Sequence, residues 1–351
     1  MKKNLILIVA ALLVVLGCSS DYEILKSQEN ISLRADFSSR LVGETITFSV
    51  KNATGDDFTA DSEIFVQGAK LQGSTFSSDV PGTFEVTATY NGVTSAPLVV
   101  EFDEEPQINF RKRMLVEDYT GTWCGYCPRV AWAVELLHLQ TEDAVAVAIH
   151  RPSSNVSSAV YDPYNFPQAA ELEATLGAAG YPKGFLNRTE RWTNPEPDNI
   201  AQAIVLTQGA NPKMGIAMTS AIANGNITMD VNVMFGKDFS NNLKLVVYVL
   251  ENGLVYDQHN YTSYYNDEDI LVDYVHNHVL RACLTPILGE GIDSAVTKSG
   301  ETFKRSFNVA IPANVANQAN IEFVAFVIDQ TGKVVNVRKS APGQTQAMEL
   351  L

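Results

Sequence analysis

The sequence predicts a multidomain chain in which a central α/β domain is flanked by an N-terminal immunoglobulin-like β-sandwich and a C-terminal β-sandwich. Three observations lead there. From Ile31 to Phe102 apolar and polar residues alternate in short stretches rich in Thr, Ser, Val and Phe, the pattern of half-buried strands. Between Arg113 and Ile149 a strand pattern, a helical pattern and a continuous apolar run succeed one another, which is the order of a βαβ unit with buried parallel strands. Beyond Lys213 strand-like segments separated by turn dipeptides return. A length of 351 residues fits two or three domains at about 150 residues each.

The first element is a targeting segment. Met1-Lys2-Lys3-Asn4 precedes an apolar run from Leu5 to Leu16, then Gly17 and Cys18. The charged, apolar, small order is that of a secretory signal peptide, and the run is short of the roughly 20 residues a membrane-crossing helix needs. Val15-Leu16-Gly17-Cys18 resembles a bacterial lipobox, which implies cleavage after residue 17 and a lipid anchor on Cys18; a plain secretory signal is the alternative. Residues 18–30 then read as a tether, and several acyl chains would hold the protein firmly at a membrane. Loss of Lys2 and Lys3 takes 25 basic residues to 23 against 40 acidic ones, a balance near −17. Such a surface disfavours nucleic acid and anionic headgroups.

Residues 31–103 form the expected first sandwich, with Asn91-Gly92 after the Thr83–Tyr90 stretch marking a tight hairpin. Asp103-Glu104-Glu105-Pro106 reads as a linker. The central domain spans residues 107–211. It opens with a strand at Arg113–Tyr119, followed by Gly121-Thr122-Trp123-Cys124-Gly125-Tyr126-Cys127-Pro128 and a helix over Arg129–Leu139. A thiol pair between a strand and a helix N-terminus meets unpaired backbone N–H groups and the positive end of the macrodipole, which favour a thiolate. Cys124 is thus the expected nucleophile and Cys127 the resolving thiol; a zinc site or a structural disulfide are the competing readings. A buried strand at Ala144–Ile149, a polar loop at 151–166 and helices near Gln168–Leu176 and Asp198–Gln208 complete this part.

The run Leu115–Cys127 resembles the active-site segment of the thioredoxin superfamily. That resemblance implies a proton-transfer role for Asp118, six residues before Cys124, whose carboxyl would have a raised pKa if it points inward. It also implies that Tyr181-Pro182 is the cis-proline segment and that Tyr181, Pro182 and Trp123 contact an extended substrate. The Gly-Tyr pair between the cysteines is similar to that of periplasmic disulfide isomerases, which tilts the expected chemistry toward isomerase-like or reductant-like exchange. The chain departs from the thioredoxin pattern in the Ala144–Ile149 strand and in the 151–166 loop.

Residues 212–351 form the expected C-terminal sandwich, with Asn224-Gly225 and Asp329–Gly332 at its hairpins. Together with the lipobox and the central segment, Tyr274-Val275-His276-Asn277-His278-Val279-Leu280-Arg281 resembles a family of Bacteroidota lipoproteins named after a twenty-eight-kilodalton outer-membrane protein, which implies an outer-membrane location facing the periplasm or the surface. His259, His276 and His278 are weighed as imidazole ligands and set aside, so no metal and no cofactor are expected. His150 reads as a strand end, Cys283 as a buried small apolar residue, and Tyr256, Tyr261, Tyr264 and Tyr265 as an aromatic loop.

Two functions follow. One is an envelope thiol-disulfide oxidoreductase acting on protein or peptide thiols and disulfides, with a redox partner. The other is a non-enzymatic binding lipoprotein whose cysteine pair is a permanent disulfide on a thioredoxin-like scaffold.

Overall fold

The computed structural model describes residues 31–52, 55–104, 107–239 and 242–351. The expected signal, the Cys18 anchor and the tether lie outside the described residues. Strand predominates over helix, and the strands are distributed over several sheets.

The N-terminal part places a three-stranded sheet (Ile31–Ala35, Thr45–Asn52, Thr75–Ser77) against a six-stranded sheet whose centre is Gly82–Tyr90. Alternation decides which residues meet: Ile46, Phe48 and Val50 from one sheet pack with Val86, Ala88, Val100 and Phe102 from the other. Asn91 and Gly92 both have positive φ, as the hairpin they close requires.

The rest is organised around one nine-stranded sheet. Its spatial order is Glu190–Arg191, Lys183–Leu186, Met114–Thr120, Ala144–His150, Val279–Cys283, Lys244–Glu251, Ile321–Ile328 and Val334–Ser340, with Glu290–Gly291 beside Lys244–Glu251. Met114–Thr120 and Ala144–His150 are parallel and are joined through the Pro128–His138 helix; Lys183–Leu186 lies antiparallel on the other side. The strands expected in the central domain and those expected in the C-terminal sandwich are therefore hydrogen-bonded into one sheet, joined at the parallel pair Ala148 and Val279.

Period two sorts the side chains between the two faces. Leu115, Tyr119, Val145, Val147 and Ile149 point to one face, where they join Tyr248, Leu250, Val324 and Phe326 from the C-terminal strands. Met114, Val116, Ala144 and Ala146 point to the other, under Val130, Ala133, Val134 and Leu137 of the Pro128–His138 helix and Ile200 and Ala203 of the Ile200–Leu206 helix. Farther along, the opposite face from Tyr248 and Phe326 is covered by a three-stranded sheet (Met214–Ala223, Asn226–Phe235, Thr302–Ala310) through a core of Met218, Val231, Phe235, Val247 and Phe323.

Candidate functional site

The site lies where Met114–Thr120 ends and the Pro128–His138 helix begins. The chain turns through Gly121–Tyr126 by short backbone bonds, Cys124 N–H to the Gly121 carbonyl (3.0 Å) and Cys127 N–H to the Cys124 carbonyl (3.1 Å), and Pro128 occupies the first helical turn, where a missing N–H costs nothing. Cys127 is the residue that caps the helix, which opens at Pro128, one residue before the expected Arg129. Cys124 and Cys127 are joined in a disulfide, with S–S 2.12 Å and Cα–Cα 5.3 Å. Both are buried, Cys124 to 5% exposure and Cys127 to 1%.

An element that sequence reasoning missed is hydrogen-bonded to the turn that carries Cys124. Residues 254–276 leave the central sheet as a narrow excursion, paired at Leu254–Val255 with Val275–His276 and at Gln258–His259 with Ile270–Leu271, and fold back over the disulfide. His259 N–H donates to the Thr122 carbonyl (2.9 Å), and Tyr261 N–H to the Gly125 carbonyl (2.6 Å). The Gln258 amide, itself buried, donates to the carbonyls of Cys124 (3.1 Å) and Gly121 (3.3 Å). The tyrosines read as an aromatic loop supply much of the contact: Tyr261 meets Tyr126 edge-on at 5.6 Å, while Tyr264 and Tyr265 pack on Trp132 of the helix. Gly125 is needed for this approach, since a Cβ there would lie 2.3 Å from the Tyr261 ring.

Asp118 points to the helix side of the sheet and is buried. Burial pushes its carboxyl well above the usual range, Glu196 adds to the effect, and Arg129 opposes it. Its Oδ1 has no hydrogen-bond partner, and it lines a cavity of about 120 Å³ together with Cys127. The Tyr181–Pro182 bond is cis, and the antiparallel register that pairs Tyr119 with Lys183 carries Pro182 to the level of Thr120. Trp123 and Tyr181 meet edge to face at 5.6 Å; the Trp123 indole donates to the Arg151 carbonyl (2.6 Å), and the Tyr181 hydroxyl to Glu173 (2.5 Å). Burial and the Glu173 bond keep the Tyr181 hydroxyl protonated.

The polar loop after His150 supplies a second unforeseen feature. His150 Nδ1 lies 2.9 Å from Asp162, which accepts backbone N–H bonds from Thr122 and Tyr164, each 2.8 Å. Burial would raise the Asp162 carboxyl, but His150 and these N–H donors outweigh it and hold it below its ordinary range. His150 is thus tied to the cysteine-bearing turn through Asp162. The Asp-Pro-Tyr-Asn run at 162–165 is a turn signal that points to Asp162, yet nothing local names His150 as its partner.

The three histidines separate. His276 is buried against His150 and Tyr164, its side chain pushed down to about 3 by burial. His278 turns the other way, onto Glu322 (3.1 Å) and His138. His259 is exposed on the excursion. Among the described residues no group of three or more His, Cys, Asp or Glu is placed to hold a metal ion. Cys283 is a free, half-buried thiol pushed up to about 12 by burial.

The model of the family described as outer membrane protein Omp28 matches residues 169–346, a segment that contains the excursion and the C-terminal strands but not the cysteine pair. Among solved structures, HBP35 of Porphyromonas gingivalis superposes with a TM-score of 0.51 at 19% identity, covering 68% of this chain and 77% of that one. The adhesin InvE of Yersinia pseudotuberculosis aligns over 89% of this chain and 57% of its own at 8% identity, with a TM-score of 0.17. No curated protein matches the chain. The family match spans just over half of the residues and agrees with the outer-membrane location expected from the sequence: the chain belongs to the Omp28 family of outer membrane proteins.

Proposed function

We propose that this outer membrane protein works by binding rather than by turnover, with a central thioredoxin-type scaffold, a structural Cys124–Cys127 disulfide, and a lipid anchor at Cys18. The observation that carries this reading is the closure of the excursion over Cys124. A nucleophilic thiol must be reached in line by the substrate sulfur, and here the approach is filled by Gln258, His259 and Tyr261, all hydrogen-bonded to the turn that holds the pair. An immunoglobulin-like N-terminal sandwich without a catalytic constellation fits the role of spacer or binding module.

The test is thiol-disulfide exchange on a scrambled, disulfide-bonded test protein, using detergent-solubilised full-length chain with and without Cys124→Ser. The expected result is no turnover from either, a pair that stays oxidised in glutathione buffer, and a stability loss of about 2 kcal/mol in the variant, the scale for closing so short a loop. Turnover that disappears in the variant would overturn the reading.

A second reading is favoured by one observation, the unpartnered, neutral Asp118 carboxyl in the same cavity as Cys127. Were the excursion to lift from a reduced pair, the Cys124 thiolate would attack a substrate disulfide and expel one substrate thiolate. Cys127 would then attack Cys124 of the mixed disulfide while the Asp118 carboxyl takes its proton and hands its own to the leaving sulfur, releasing the second substrate thiol and leaving Cys124–Cys127 oxidised to the disulfide. Tyr181, Pro182 and Trp123 would contact the substrate peptide.

A further inference from the structure

The cavity behind the disulfide does not end at Cys127. His138 and His278 line it at one end, and the same two residues line a second, larger cavity of about 530 Å³. The larger one is within the usual size of ligand sites, about 300–1,000 Å³. Its wall carries Arg111, Arg113, Arg338 and Lys339, with Glu142 as the acid among them. In a chain with a net charge of −15 this is an unusual concentration of cations. Carboxylates pair with them: Asp143 on Arg111 (2.6 Å), Glu142 also on Arg111 (3.9 Å), Glu349 on Arg113 and on Arg338 (3.3 Å), and Glu322 on Lys339 (3.6 Å). Of these acids only Glu142 lines the cavity, so four cationic side chains face it with one carboxylate among them, and the others hold the cations in place. Burial lowers the Arg338 guanidinium, and Arg113 and Arg111 lower it further against the pull of Glu349, the mutual repulsion that an anion would relieve.

The smaller cavity has no cationic side chain of Arg or Lys in its lining. Pro128, Ala131, Val134, Ala146 and Ala148 give it one apolar wall, opposed by polar groups that include Thr120, Gln258 and Asn277. Burial pushes the Asp118 carboxyl up and the His276 imidazole down, each toward its uncharged form. Two buried polar atoms are without a protein partner: Asp118 Oδ1 inside this cavity, and Nε2 of His138 at the junction of the two. An unsatisfied buried polar atom costs about 1–3 kcal/mol, and a guest whose head lies at the junction would meet His138 Nε2.

We propose that the two cavities form one bipartite site for a small anionic amphiphile. An anionic head, carboxylate or phosphate, sits among Arg111, Arg338 and Lys339; an uncharged ring or short chain passes His138 into the pocket behind Cys127. A pocket of about 120 Å³ limits that tail to roughly one ring, by comparison with an apolar protein cavity of about 150 Å³ that accepts benzene. This inference rests on the binding reading above and names its ligand class.

Isothermal titration of detergent-solubilised full-length protein with phenylacetate and phenyl phosphate tests it, with acetate, inorganic phosphate and benzyl alcohol as single-part controls. An aryl anion binds at least about tenfold more tightly than its own head or the uncharged ring alone, and the better of the two heads identifies the source of the charge. Arg111→Gln with Lys339→Gln weakens the aryl anion about tenfold, while Ala131→Leu, which fills the tail pocket, weakens the aryl anion and leaves the head-only ligand unchanged. Melting curves identify any variant that fails to fold, and the two sets of substitutions lie on different elements. Equal affinity for head-only and aryl anions would reduce the site to a cationic surface. Benzyl alcohol binding as tightly as the aryl anions would reduce it to an apolar hole. No heat from any ligand would leave a water-filled cavity and no site. Each of these overturns the proposal, whereas the binding reading itself stands or falls separately, by the exchange assay.

Discussion

Asp118 and its neighbour Glu117 show how one position along a strand changes what a carboxylate does. Asp118 faces the helix side, where burial pushes its carboxyl well above the ordinary range. A carboxyl with a raised folded pKa contributes stability that is fully present below the unfolded value, 3.8, and is lost as pH rises through the folded one. Asp118→Asn removes this dependence: denaturant titrations at about pH 5 and about pH 9 are expected to show wild type losing about 1 kcal/mol or more relative to the variant. Equal slopes would mean that Asp118 is ionised in the fold. Glu117 faces the other side, fully buried, 2.9 Å from Arg188, which also donates to the Tyr248 hydroxyl. Arg188→Met leaves that carboxylate without its cation and is expected to cost about 3–5 kcal/mol in urea denaturation. Adding Glu117→Gln should recover a large part of the loss, which a simple packing defect at residue 188 would not allow.

At the scale of elements, the decisive contact is between the excursion at 254–276 and the turn that carries the disulfide. Gly125→Ala places a methyl group where the Tyr261 ring lies, and the ring must move because the Gly125 carbonyl is bonded to Tyr261 N–H on the same short segment. The expected outcome is faster reduction of Cys124–Cys127 by dithiothreitol, by about tenfold or more if the excursion opens at a cost reduced by about 1.4 kcal/mol. Tyr261→Ala should act in the same direction. Unchanged rates in both would show that the excursion does not limit access. The helix and strands that carry the site were legible in the sequence within a residue or two: the Pro128–His138 helix from its apolar stripe, and Met114–Thr120 and Ala144–His150 from their apolar runs. The excursion was not legible, because its pairings are two residues long and its tyrosines read equally well as a solvated loop.

For the whole molecule, the division at residue 211 cuts through a sheet. About half of the core on the Tyr119 face comes from strands beyond residue 211, including Tyr248, Leu250, Val324 and Phe326, and the Ala144–His150 strand meets Val279 and the His278 carbonyl across the same line. A fragment of residues 107–211 exposes that face and an unpaired edge strand. It is expected to be aggregated or protease-sensitive, whereas residues 107–351 give a cooperative melt; a dispersed NMR spectrum from the shorter fragment would contradict this. The N-terminal part is attached more locally, through buried Lys213, which reaches Asp103 (3.2 Å) and Glu101 (3.5 Å).

The sequence by itself determined the strand and helix periods, the hairpins at Asn91-Gly92 and Asn224-Gly225, the positions of the cysteine pair and Asp118 at the end of a strand, and the outer-membrane family. These are properties of neighbours in the chain: side-chain periodicity, turn chemistry and motif spacing. Only the tertiary structure decided that two expected domains share a sheet, that Asp162 holds His150, and that residues 254–276 close over Cys124. Each of those depends on contacts between residues far apart in sequence. Their energies come from burial and from hydrogen bonds to whichever partner the fold delivers, and no local pattern encodes that choice.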